Sequence, residues 1–247
     1  MIDPGLIARV VALLPVSERV KSRRPVELRQ WVLAKCDEFT QYPELRAPVL
    51  LHEGLFKWFH EEMYPLSVFA VHRYGDRDDV LFTPRQDPSR DVDAEVREPS
   101  KTINVEITCA RDAIEHLRME HLVAKRRVSV TGGLIVKGTK RKGRQIKDVL
   151  EFEDHRVSRA RSLGLIKAAA EGKAGLGRYG NSYELLIAVD DWWYDTEDAN
   201  EVKDFVEREV LTLPLEFDAV HVVGMTERLI VSFPSPRGHP SHGPPSF

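Results

Sequence analysis

The chain has 247 residues, 42% apolar and 30% charged, with a formal net charge of −3. That is enough for one large domain or a domain with an appendage, and the apolar share supports a proper core. Two cysteines, Cys36 and Cys109, argue against a disulfide scaffold and for a reducing, cytoplasmic setting. No apolar run approaches the roughly 20 residues that span a bilayer, so no membrane partner is expected.

The near-neutral total hides an asymmetry. From Arg111 to Lys147 there are eleven Lys/Arg against three Asp/Glu; from Glu184 to Asp218 there are two against twelve. One region attracts a polyanion and another repels it. The same faces could instead attract each other within the molecule or across a homodimer.

The N-terminus, "MIDPGLIARVVALLPVSERV", carries an arginine inside its apolar run and lacks the basic start and small-residue cleavage site of a signal peptide. Residues 1 to 65 read as helical. Pro25 suits the start of a helix that continues through Leu28, Trp31, Val32 and Cys36. A second helix is predicted from about Pro43 to Tyr64, ended by Pro65. "LSVFAVHRYG" (66–75) reads as a strand, with "DDVLFTPRQ" as its hairpin partner. "RDVDAEVRE" and "KTINVEITCA" follow as two more strands, joined by a turn at Glu98-Pro99-Ser100.

Helical spacing resumes from Ala110 to Ala124. The Gly-rich basic segment "TGGLIVKGTKRKGRQIK" then reads as a hairpin or mobile loop. A helix is predicted over about 151–172 and a buried strand at "YELLIAVDD". A further helix at 198–211 has Asp198 and Glu201 at capping-box spacing. "FDAVHVVGMTERLIVSF" reads as a strand pair. The tail at 234–247, rich in Pro and Gly, is expected to be disordered. The whole predicts an α/β fold, a central mixed β-sheet flanked by helices over 43–233, with an extra N-terminal helical region at 1–42.

Two acidic clusters stand on neighbouring strand candidates. Asp91 and Asp93 share one face of theirs, and Glu106 and Thr108 share one face of the next, because side chains repeat every two residues. If the strands pair, a carboxylate from each meets at one end of the sheet. Oxygen ligands open to water and phosphate suit Mg²⁺ or Mn²⁺.

The layout helix–strand–strand(Asp)–strand(Glu-x-x)–helix–strand, over roughly residues 45 to 190, resembles the PD-(D/E)XK nuclease superfamily, the restriction-endonuclease-like fold. The resemblance implies that Asp93 and Glu106, thirteen positions apart, hold the metal, with Asp91 assisting. It also implies that Glu53, Glu61 or Glu62 on the preceding helix matches the extra acid some members carry. Thr108 is a departure: the family usually has lysine there. A threonine hydroxyl orients a water but supplies no charge. Either the cation comes from elsewhere, with Lys101, Arg118 and Lys125 as candidates, or the site retains binding without catalysis.

Lys137, Lys140, Arg141, Lys142, Arg144 and Lys147 form a run without an acid, and nucleic-acid phosphates are its natural partner. Other motifs carry less. "GLGRYG" (175–180) has the spacing of a dinucleotide loop but a helix before it and a strand after it, the reverse of what phosphate binding at a helix start needs. "DDWWYD" (190–195) places aromatics among acids, which suits anchoring better than stacking on bases. His116 and His121 lack the i, i+4 spacing of a zinc pair.

The leading expectation is a Mg²⁺-dependent nuclease acting on DNA, with RNA also open. Asp93, Glu106 and Thr108 form its catalytic set. The alternatives are a non-catalytic nucleic-acid-binding module on the same fold, and a protein-interaction or dimerisation domain.

Overall fold

The computed structural model describes residues 4–86, 92–112, 134–137, 145–148, 154–179, 182–191, 194 and 198–234. Among them six strands form one mixed sheet, in the order β1 (Leu81–Pro84), β2 (Ala94–Arg97), β3 (Thr102–Ala110), β6 (Tyr183–Val189), β7 (Ala219–Gly224) and β8 (Ile230–Pro234). β1, β2 and β3 make an antiparallel meander. β6 lies parallel to β3, β7 parallel to β6, and β8 antiparallel to β7. A separate two-stranded ladder pairs β4 (Leu134–Lys137) with β5 (Gln145–Asp148), the hairpin expected in the basic segment.

Helices cover both faces. On one face lie α1 (Pro4–Leu13), α2 (Val16–Arg19), α3 (Pro25–Thr40), α4 (Arg46–Leu50), α5 (Leu55–Trp58) and α6 (Tyr64–Tyr74). Leu28, Val32, Phe59, Leu66 and Phe69 from this layer pack with Val96, Val105 and Ile107 of the sheet. On the other face lie α7 (His155–Glu171) and α8 (Ala199–Phe205), whose Leu163, Ile166 and Val202 pack with Leu185, Ile187 and Val222. The alternation of β6 and β7 between these two clusters follows from side chains pointing to opposite faces in turn. Residues from 1–42 thus contribute to the same core as the sheet.

Several expectations need correction. Residues 66–75 form helix α6 rather than a strand, and Pro65 lies in its first turn rather than ending a helix. Leu66 to Ala70 are all buried, because α6 is wedged between α3 and the sheet. A short apolar run of that kind carries no period to separate strand from helix. The helical path is continuous from α5 through Pro65, and the Glu61 carbonyl four residues back, which a proline cannot bond, accepts from Cys109 Sγ instead. β1 does form, but pairs with β2. The predicted helix over 43–64 is also broken. A turn at Leu51–Gly54, with His52 and Gly54 at positive φ, separates α4 from α5.

Asp198 starts α8 without the predicted side-chain cap. Its carboxylate instead pairs with Arg159 of α7. The predicted helix from Ala110 to Ala124 lies beyond Asp112 outside the described residues, as do Asp91, Lys140, Arg141, Lys142, Arg144, Trp192, Trp193 and the tail.

Candidate functional site

β3 is nine residues long and β2 only four, so β2 leaves β3 partway along it. The last ladder pair is Ala94 with Val105. One step further, the Asp93 N–H donates to the Val105 carbonyl at 3.0 Å. Among the described residues β3 has no strand neighbour on this side beyond that point. The Asp93 carboxylate takes over, accepting the Ile107 N–H at 2.7 Å. An exposed strand edge must satisfy its polar groups somehow, and a short acid at the branch point does so.

Ala94 and Val105 both belong to the core on the α6 face. Glu106 therefore points to the opposite, α7 face, together with Thr108 and Ala110. Glu106 is buried and Thr108 half-buried. Asp93 and Glu106 occupy adjacent cross-strand positions, as the sequence reading required. Thr108 sits one pleat further on the same face, opposite Ile187 of β6.

Helix α5 runs into α6 through a wide π-type turn, Phe59–Met63. Such turns insert an extra residue and are frequent at functional sites. This one packs beside the uncovered stretch of β3, where Cys109 Sγ reaches the Glu61 carbonyl at 3.4 Å. The turn brings Glu62 to the acids. Burial pushes the Glu62 carboxyl up to about 8, and the charges of Asp93, Glu61 and Glu106 push the same way. Glu62 has no hydrogen-bond or ion-pair partner among the described residues. Of the three helix acids considered, Glu62 is thus the one electrostatically joined to Asp93 and Glu106. Glu61 points to Arg111, whose guanidinium donates to it at 2.8 Å.

The missing cation has a substitute that the sequence reading overlooked. Lys173, just past the C-terminus of α7, donates its Nζ to Glu106 Oε1. Burial opposes its charge, but the hydrogen bond to Glu106 and the nearby charges of Glu106, Tyr179 and Asp93 outweigh burial and raise its pKa. Lys173 lies 67 positions after Glu106. No local motif marks it; the only signal was a lone lysine at a helix end that packs on β3. Lys101, by contrast, sits beside Glu98 at the far end of the β2–β3 hairpin. Arg118 and Lys125 lie outside the described residues.

Lys57 of α5 is exposed near this cluster and lowers the pKa of Glu62. Lys137 and Lys147 stand on β4 and β5 respectively. Among the described residues no group of three or more His, Cys, Asp or Glu is arranged to hold a metal ion. The donor chemistry nevertheless suits a hard divalent cation. Glu62 holds its proton through burial and the charges of Asp93, Glu61 and Glu106, and would release it to water when such an ion binds.

"GLGRYG" behaves as a connection. Gly175 and Gly177 adopt positive φ after α7, and the Gly175 N–H bonds to the Pro214 carbonyl. Tyr194 is buried, its hydroxyl 3.4 Å from the Arg159 carbonyl, so it anchors α7. Among the described residues no helix is long and apolar enough to cross a membrane. No family model matches this chain, no curated protein matches it, and no solved structure matches it.

Proposed function

We propose that the chain is a nuclease of the restriction-endonuclease-like class that hydrolyses phosphodiester bonds, with DNA as its substrate. The observation that carries this reading is the meeting of Asp93, Glu106, Glu62 and Lys173 where β2 leaves β3. Asp93, just before β2, and Glu106 on β3 precede α7 and β6 in the chain, with β4 and β5 between β3 and α7.

Asp93 and Glu106 would hold Mg²⁺ or Mn²⁺, with Glu62 near enough to feel their charges. Such an ion supplies charge for the phosphate and lowers the pKa of a bound water. Lys173 provides the positive charge that Thr108 lacks, on the same face of β3, and holds Glu106 in place. Thr108 offers a hydroxyl to orient a water. Lys57 and the basic segment from Lys137 to Lys147 grip the nucleic-acid backbone. A supercoiled plasmid incubated with the protein and Mg²⁺ tests this. Wild type should nick it, and Glu106→Ala and Lys173→Met should each lose at least about a hundredfold in rate.

A second reading keeps the nucleic acid and drops the chemistry. It is favoured by the engagement of Glu106 with Lys173 and of Asp93 with the Ile107 N–H, which leaves both carboxylates serving the fold. It predicts salt-sensitive DNA binding that Glu106→Ala retains, with no cleavage by wild type.

A further inference from the structure

The sheet face under α6 holds a second polar constellation that the nuclease reading does not use. His221 of β7 is buried, and its Nδ1 lies 2.8 Å from Oγ of Ser232 on β8. Its Nε2 lies 3.1 Å from Oε2 of Glu184 on β6, which is also buried. Arg73 of α6 pairs with both oxygens of Glu184. Ser232 itself is exposed on the edge strand.

The proton positions follow from the partners. Arg73 Nη1 also lies 3.3 Å from Nε2, but its hydrogens are directed to Glu184; that carboxylate accepts only, so Nε2–H of His221 donates to it. Nδ1 is then the bare nitrogen, and the Ser232 hydroxyl donates to it. Burial keeps the imidazole neutral, against the pull of Glu184. This is a nucleophile, a base and an orienting acid in hydrogen-bonded sequence, with Nδ1 rather than Nε2 turned to the serine.

The ladder places a backbone donor beside the hydroxyl. The Gly224 N–H bonds to the Leu229 carbonyl at 2.6 Å, and the register then pairs Val223 with Ile230, Val222 with Val231 and His221 with Ser232. Bonded and non-bonded pairs alternate in an antiparallel ladder, so His221 and Ser232 form a non-bonded pair. Side chains approach most closely in such pairs, and the Ser232 N–H points away from β7 toward the open edge. Pro234, opposite Ala219, falls in the same phase, where a missing N–H costs the ladder nothing.

We propose that Ser232, with His221 and Glu184, forms an acyl-accepting site for small activated esters presented from solvent. Ser232 Oγ bonds to the ester carbonyl carbon as its proton passes to His221 Nδ1. The bond to the leaving alkoxide breaks, and His221 returns the proton to that alkoxide, leaving an acyl-serine. Water then attacks the acyl carbon, His221 takes the water proton and returns it to Ser232 Oγ, and a carboxylic acid departs. The Ser232 N–H faces the oxygen that becomes negative.

A fluorophosphonate probe, read by intact mass and peptide mapping, tests the site. The folded protein should gain one adduct, at Ser232, at least about a hundredfold faster than the urea-unfolded chain. Ser232→Ala, an exposed change, should abolish it, and Glu106→Ala should leave it unchanged, which separates this site from the nuclease reading. An adduct rate at Ser232 equal in folded and unfolded protein, or labelling elsewhere only, overturns the proposal without recourse to any variant. In that case the trio does no more than satisfy a buried histidine.

Discussion

Asp191 is fully buried, and its carboxylate accepts the N–H groups of Thr226 at 2.6 Å, Arg228 at 3.0 Å and Leu229 at 3.1 Å. It closes the turn between β7 and β8 from inside. Gly224 makes room for it: a Cβ there would lie 1.9 Å from Asp191 Oδ2. Gly224→Ala should therefore lower the unfolding free energy by about 3 kcal/mol, seen as a lower urea midpoint at unchanged slope. Asp191→Ala should cost a similar amount by stranding three donors. An unchanged midpoint in both would remove this turn from the structural account. At Lys173 the same scale decides chemistry. On the proposed nuclease reading, Lys173→Met should retain DNA binding within a few-fold while cleavage falls, because an ammonium paired with Glu106 would serve the reacting centre more than the distant backbone. Equal losses of binding and cleavage would make Lys173 a docking residue. The neighbouring strand positions of Asp93 and Glu106 were legible in the sequence because they depend on strand alternation, a period of two. Lys173 was not, because nothing local ties it to β3; the packing of α7 across the sheet does.

The elements around the site differ in how much they disclosed. β2, β3, β6 and the β7–β8 pair could be read because each has one face or both faces buried and a clear turn on either side. Helix α6 could not, since its neighbours bury it so completely that its period vanishes. The π-type turn before it was equally hidden: Pro65, two residues past it, marks a break in the ladder but does not say whether the helix ends or gains a residue. α7 and α8 are joined by Arg159, which reaches Asp198 at 2.7 Å and Glu201 at 3.0 Å. Arg159→Ala should cost about 1–2 kcal/mol and loosen α7, because charge-assisted bonds and the packing against Tyr194 go together. Hydrogen exchange along α7 is the suitable measure. Protection there that is unchanged in the variant would show that apolar packing alone seats the helix.

Across the whole molecule, charge is arranged in networks that span layers. Glu184 ties α6 to the sheet through Arg73 and His221. Burial alone would raise its pKa, but bonds from His221 and Arg73 and the charge of Arg73 hold it at about 2, against 4.5 for an ordinary glutamate. A depressed carboxyl stabilises the fold fully above its unfolded pKa and loses that contribution as pH falls through its folded one. Wild type should therefore lose on the order of 3 kcal/mol between pH 4.5 and about 2 from this group. Glu184→Gln should show a flatter acid limb in chemical denaturation over the same window; identical limbs would contradict the assignment. The central claim rests on the other network, the acids at the branch of β2 from β3. Its most direct test is cleavage of supercoiled plasmid with Mg²⁺, comparing wild type, wild type with excess chelator, and Glu106→Ala shown to be folded by circular dichroism. Nicking is expected from the first alone. Nicking by Glu106→Ala at the wild-type rate, or none by wild type, would contradict it.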